Sequence, residues 1–256
     1  MKEQSDFYRL IKKLCYEKNI KFRQASFGYV TELKKDGIIR HIVGNSLELN
    51  SASAYKIASD KFATYSILVQ NNIPVIKHNM VFNPETRSEY ENDDIKKALI
   101  WFQEYGGKAI VKANNSSEGK DVFLVKTKEE LKKRILECFM NNKDSVSICP
   151  VYNINYEYRV IILDNEILAC YKKEKPFVIG DGICNLNQLI EKSEIPFFYN
   201  NLDLKYIPKK GEKIEVYWKH NLAQGAKPSF EIDIEKKKRI FDIALKVRRN
   251  TWNKIC

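Results

Sequence analysis

A chain of 256 residues, 44% of them hydrophobic, can bury a sizeable core as one large domain or two smaller lobes. Its net charge of +11 would suit nucleic acid if the lysines and arginines clustered. They are spread among Asn and Ile instead, which disfavours RNA or DNA and leaves a small phosphate-bearing ligand as the better partner.

The opening MKEQSDFYRLIKKLCYEKN is charged throughout, and no apolar run approaches the roughly 20 residues of a membrane helix. Neither a signal peptide nor a membrane partner is expected, and the cytoplasm is the expected compartment. Cys15, Cys138, Cys149, Cys170, Cys184 and Cys256 sit singly, without a CxxC pair or a His at ligand spacing. They read as reduced core thiols.

In chain order, SDKFATYSILVQNNIPV (Ser59 to Val75) has a capping residue, a helical apolar pattern and an Ile73-Pro74 stop, so it predicts a helix leading into a strand. DDIKKALIWFQEYGG (Asp93 to Gly107) predicts a second helix, with acids at its start and a glycine pair at the left-handed cap. Its Trp101, Phe102 and Tyr105 belong to a core or lobe contact. KAIVKANNSSEGKDVFLV (Lys108 to Val125) holds two short strands around a small polar loop. TKEELKKRILECFM then opens on the capping box Thr127 to Glu130.

From Ser147 the pattern turns to strands: VSICPVY, EYRVIIL and EILACYK, the last two joined at Asp164-Asn165. Asp181-Gly182 precedes a short helix, NLNQLIEKS. IEVYW and FEIDI read as further strands, and EKKKRIFDIALKV as a final helix whose Glu235 to Arg239 run is a solvated face. His41, His78 and His220 are far apart, and there are no repeats or low-complexity segments. This mixed order argues for an α+β or mixed α/β fold, not a doubly wound parallel sheet.

A helix with SDK, a strand ending in VK, a Gly/Ser loop, a strand, a capped helix and a strand series with EYR together resemble the ATP-grasp superfamily. The nearer resemblance is to its cyanophycin-synthetase-type branch, which shares features with ribosomal-protein glutamate ligases and bifunctional glutathione synthetases. GNSLELNSASAYKIASDK (Gly44 to Lys61) resembles that branch's lead-in. ILACYKKEKPFVIGDGICNLNQLIEK resembles its basic run, hydrophobic-Gly-Asp-Gly and short helix. The resemblance covers Gly44 to Val247. It implies two α/β lobes with nucleotide between them: residues 1–50 a leader from a pre-ATP-grasp region, 51–145 the small lobe with the phosphate-covering loop, and 146–256 an incomplete large lobe. It also implies ATP as cofactor and the joining of a small carboxylate to an amine, amino acid or peptide, through an acyl-phosphate. A homo-oligomer is compatible with it.

The resemblance carries residue by residue. Lys61 and Lys112 match the two lysines flanking the nucleotide, although an isolated Lys112 would read as an edge-strand lysine reaching solvent. Ser116, Ser117 and the backbone around Gly119 can point donors at phosphate oxygens. Cys149, Pro150 and Val151, followed by Tyr152, stand where the family has an acid, a variable residue and an aromatic, so the adenine slot lacks its acid. Glu157 corresponds to the carboxylate that reads the ribose hydroxyls. Arg159 and Lys172 match cations near the transferred phosphoryl group; alone, they would read as cross-strand charge pairs. His220-Asn221-Leu222 with Gly225 resembles Asn-Leu-x-x-Gly, which places Asn221 near the phosphates.

Two departures stand out. The cover loop has one glycine, Gly119, where close relatives carry several. The family holds Mg2+ on an Asp and a Glu-x-Asn beyond the last helix. Here the sequence runs to VRRNTWNKIC with no acidic residue after Asp242, so those ligands are expected to be missing. The tail breaks the helix periodicity and is either a frayed basic terminus or the product of a frameshift. Val247 to Ile255, read one nucleotide forward, permits Leu-Glu-Glu-Ile-Leu-Gly-Ile-Lys. The alternative to a ligase is accordingly a truncated or degenerate domain that at most binds nucleotide. Salt-sensitive polynucleotide affinity would mark a third class.

Overall fold

The computed structural model describes residues 6–44, 46–86, 94–116, 119, 121–196, 199 and 201–251. The chain divides into two compact units, Met1–Lys56 and Ile57–Cys256. In the first, helix α1 (Asp6–Glu17) precedes an antiparallel meander of β1 (Lys21–Ala25), β2 (Val30–Lys35), β3 (Ile38–Val43) and β4 (Ser46–Leu47). Asp36 and Gly37 both take positive φ, 50° and 80°, and Lys35 pairs with Ile38 across them. Such a two-residue turn carries the twist that adjoining strands need. Tyr8 of α1 meets Phe22 edge-on, ring centroids 5.5 Å apart, and Cys15 is buried. The sequence reading assigned no element before Ser59, so this helix and sheet are additions to it.

Helix α2 (Ala52–Ser59) runs across the division. The second unit continues with α3 (Lys61–Gln70), β5 (Asn79–Phe82), α4 (Asp94–Glu104), β6 (Ala109–Ala113), β7 (Val122–Val125), α5 (Lys128–Met140) and β8 (Ser145–Pro150). These strands form an antiparallel sheet in the order β5-β8-β6-β7. β8 thus separates β5 from β6, and β6 separates β7 from β8. Two split β-α-β units interleave, and both helices land on one face. There Val81, Val111, Val125, Val146 and Ile148 pack with Ala98, Phe102, Leu131 and Ile135, while Trp101 and Tyr105 lie half-buried against them. Each fully buried Val, Leu, Ile or Phe among them stabilises the fold by about 1.5–3 kcal/mol. Strand alternation leaves Ile110 and Lys112 on the opposite face, across from Cys149 and Ser147 of β8.

The expected caps form. The Asp60 carboxylate accepts from Ala63 N at 2.7 Å, and Gly106 and Gly107 end α4 at φ 73° and 74°. Thr127 Oγ1 accepts from Glu130 N at 3.1 Å. Glu130 reaches back one residue further than a reciprocal box requires, to Lys126 N at 2.6 Å.

Beyond β8 come β9 (Glu157–Leu163), β10 (Glu166–Glu174), β11 (Phe177–Ile179), α6 (Leu186–Lys192), β12 (Lys213–Glu215), β13 (Lys227–Ser229) and α7 (Ile234–Thr251). β13, β10 and β9 make one antiparallel sheet and β11 with β12 another. Asn185 and Gln188 close a full capping box on α6, whose Leu186, Leu189 and Ile190 are buried with Val178 and Val216. Two expectations fail. FEIDI is not a strand, because Asp233 Oδ1 accepts from Lys236 N at 3.1 Å and so starts α7 at Ile234; the strand lies just upstream as β13. The last helix also does not stop at Val247 but runs to Thr251. Arg248 and Arg249 are good helix formers, and their charge complements the C-terminal end of the helix dipole.

Candidate nucleotide site

The loop after β6 is held at its base by α3. Lys61 Nζ donates to the carbonyls of Ala113 (2.8 Å), Asn114 (3.0 Å) and Ser116 (2.8 Å). Asn114, 2% exposed, accepts from Phe62 N through Oδ1 at 3.1 Å, and its own N–H donates to Ser145 O at 3.0 Å. Ser116 folds back, its hydroxyl donating to Ala113 O at 3.1 Å. Ser117 lies outside the described residues.

Lys112 projects from the sheet face next to this base. Burial pushes up the pKa of the Cys149 thiol against the opposing pull of the Lys112 charge. Burial, and then the charge on Lys112, press Lys61 down to about 8. Burial followed by Lys112 and Lys61 hold His78 down to about 4, and its Nδ1 lies 2.5 Å from Ser147 Oγ. Two lysines and an imidazole held neutral therefore lie in one region, where Asp60 and Asp121 act on Lys61 in the opposite sense to Lys112.

The far part of the loop meets the segment after β12. Gly119 has φ +69°, and a Cβ there would stand 2.4 Å from Asn221 Nδ2. Its carbonyl accepts from Lys219 Nζ at 3.2 Å. Asn221 caps a single 3-10 turn, its Oδ1 accepting from Ala223 N at 2.9 Å. His220, 4% exposed, lies with Nε2 3.1 Å from Asn155 O. That contact fastens the same segment to the linker that follows β8.

In that linker Val151 and Tyr152 are exposed, while Pro150 still pairs with Ala109. Burial first, then the neighbouring Cys149, raise the Tyr105 hydroxyl to about 12. The strands beyond settle a question of parity. Glu157 and Arg159 lie opposite Lys173 and Tyr171, whereas Lys172 lies opposite Tyr158. Lys173, not Lys172, shares the face of Glu157 and Arg159, and its ammonium binds the Glu157 carboxylate at 2.5 Å. Lys172 points to the other face, ion-paired to Glu174 at 2.7 Å and 4.5 Å above the Tyr156 ring centroid. Lys61, Lys112 and Ser116 are thus brought together, as are Gly119 and Asn221, and Glu157 with Arg159; Lys172 stands apart from Glu157 and Arg159. Reading from motifs missed Asn114, Lys173 and Lys219. For Lys173, strand alternation counted from Glu157 was the available signal.

The sequence profile of the RimK-like ATP-grasp domain matches residues 58–188, just over half of the chain. The chain belongs to this ATP-grasp family. A relative 26% identical over 196 residues is the glutathione biosynthesis bifunctional protein GshAB of Clostridium perfringens, the match covering 66% of this chain and 24% of that protein. Among solved structures, the bifunctional glutathione synthetase of Pasteurella multocida matches at a TM-score of 0.52 and 16% identity, over 93% of this chain and 34% of that one. The D-alanine–D-alanine ligase of Bacillus anthracis matches at 0.49 and 17%, over 77% and 50%. The likeness to the Pasteurella multocida structure, at 16% identity, is one of fold, and the ATP-grasp chain spans about a quarter to a third of the length of the two glutathione proteins.

Magnesium, which ATP-grasp ligases typically use, is commonly held by one or two carboxylates together with the phosphates of its substrate, and the described residues build no metal cluster of their own. None of them gathers three carboxylate, imidazole or thiolate groups around one point.

Proposed function

We propose that this ATP-grasp chain binds ATP and joins a small carboxylate, of amino-acid or peptide type, to an amine. The observation that carries the reading is the convergence of Lys61 and Lys112, from different elements, at the base of a loop whose Gly119 abuts Asn221. Like charges held together at a half-buried place cost free energy unless an anion joins them, and a triphosphate supplies that anion. In this reading Lys112 holds phosphate oxygens, while Arg159 and Asn221 face the transferred group. Lys173 replaces Lys172 as the second strand cation. Backbone groups of Cys149 to Tyr152 take the adenine, and Glu157 the ribose.

The substrate carboxylate oxygen attacks the terminal phosphorus and ADP leaves. The amine then adds to the acyl-phosphate carbon, loses a proton and expels phosphate, leaving an amide. The loop keeps water from the acyl-phosphate, which it would hydrolyse. The Gly180-Asp181-Gly182 turn followed by the capped α6 supports a place near the cyanophycin-synthetase-type branch.

Hydroxylamine tests this chemistry, because it traps an acyl-phosphate as a hydroxamate. Incubation of the chain with ATP, hydroxylamine and single amino acids is expected to yield ADP and a hydroxamate with at least one acid. ATP binding with no hydroxamate from any acid would make the chain a nucleotide-binding domain without ligase chemistry.

A further inference from the structure

A cavity of about 170 Å3 lies within the first unit, where Phe7, Tyr8 and Ile11 of α1 face Tyr29, Thr31 and Ile42 of the meander. Thr31 and Ile42 are partners across β2 and β3 and are 7% and 4% exposed. They share the sheet face of Phe22, which Tyr8 meets edge-on, so the pleat turns both toward α1. Tyr29 is exposed and forms the rim. Its N–H donates to Ser26 O at 3.0 Å, and its carbonyl accepts from Gly44 N at 2.8 Å, which fixes the rim from both sides.

Two properties select the ligand. No acid, lysine, arginine or histidine lines the cavity, so a charged group would give up its hydration there without a counter-charge. An apolar cavity of about 150 Å3 takes up benzene, so this space suits one ring, and the aromatic walls offer it edges and faces. The second property is Thr31. Its hydroxyl makes no hydrogen bond with the described residues and is not sealed from solvent. In a residue so deeply buried, that leaves one donor and its acceptor sites open to the cavity the residue lines.

We infer that this cavity is a binding site for a small neutral aromatic molecule with one hydroxyl or amide group, its ring between α1 and the sheet and its polar group on Thr31 Oγ1. The site lies wholly in the first unit and does not rest on the nucleotide reading.

Titration of the full 256-residue chain with phenol and with toluene, followed by amide NMR shifts, tests it. Phenol is expected to shift the amides of 28–31 and 42–44 saturably, with a Kd on the order of 1 mM or tighter, and to bind more tightly than toluene. Thr31→Val should weaken phenol about fivefold and leave toluene within about twofold, whereas Thr31→Ser should keep the preference for phenol. Tyr29→Ser should weaken both probes. No saturable shift, shifts confined to other residues, or an unchanged preference in Thr31→Val overturns the assignment. Should Thr31→Val not fold, the parent's preference for phenol and the loss of both probes in Tyr29→Ser decide. Phe27, fully exposed beside the rim and held there with φ 56°, supplies a competing occupant. Sedimentation velocity of the parent and of Phe27→Ser is expected to agree; a parent dimer that Phe27→Ser dissolves would give the cavity to the phenyl ring of a second copy and overturn the free-ligand assignment.

Discussion

His78 shows how the lysine pair shapes its surroundings. Held neutral down to about 4 by burial and by Lys112 and Lys61, it is a cost to the fold in acid. Between about 6.5 and about 4 the unfolded chain carries more protons at this residue than the folded chain, so stability falls as pH falls through that window. Urea midpoints across it should decline in the parent and decline less in His78→Gln; parallel curves would show that His78 does not titrate as described. Gly119 makes a second claim at this scale. With φ +69° and Asn221 Nδ2 at 2.4 Å from any added Cβ, Gly119→Ala should cost the closed loop about 1–2 kcal/mol, roughly tenfold in ATP affinity. Equal affinity in the variant would show that this approach does not matter to binding. No motif announces His78, and only the fold brings it beside Ser147, 69 residues away in sequence.

At the scale of elements, much of the second unit was legible because its signals are local. Asp60, Thr127 and Asn185 mark helix starts by side-chain hydrogen bonds and the Gly106-Gly107 pair marks a helix end by its positive φ, signals that work without tertiary help, and each acts as a cap in the structure. Thr127→Ala should therefore cost about 1 kcal/mol in urea unfolding, and a loss within error would mean that Glu130 alone holds the turn. The same kind of signal was overlooked at Asp36-Gly37, whose positive φ values make a hairpin between the charged strand VTELKK and IIRHIV, whose apolar residues fall in pairs and do not alternate. FEIDI alternates like a strand, yet the capping bond of Asp233 outweighs the alternation. Lys172 and Lys173 show a further limit. Motif matching chooses between adjacent lysines by likeness, whereas the pleat assigns them to opposite faces, and only the register with Glu157 decides.

For the molecule as a whole, the ATP-grasp fold of the second unit was legible from the order of elements, and the family match over 58–188 agrees with it. The first unit was not, since its residues give no motif and its core is small. The residue types of the candidate site were legible in the sequence; their arrangement was not, because hydrogen bonds such as those from Lys61 to three carbonyls depend on where α3 meets the end of β6. The account stands on nucleotide binding at Lys112. Calorimetric titration of the chain with ATP, beside Lys112→Ala, tests it most directly. Saturable binding in the parent that weakens about tenfold or more in the variant, ~1.4 kcal/mol for a lost charge-assisted contact, is the predicted result. No binding by the parent, or equal binding by both proteins, would contradict it.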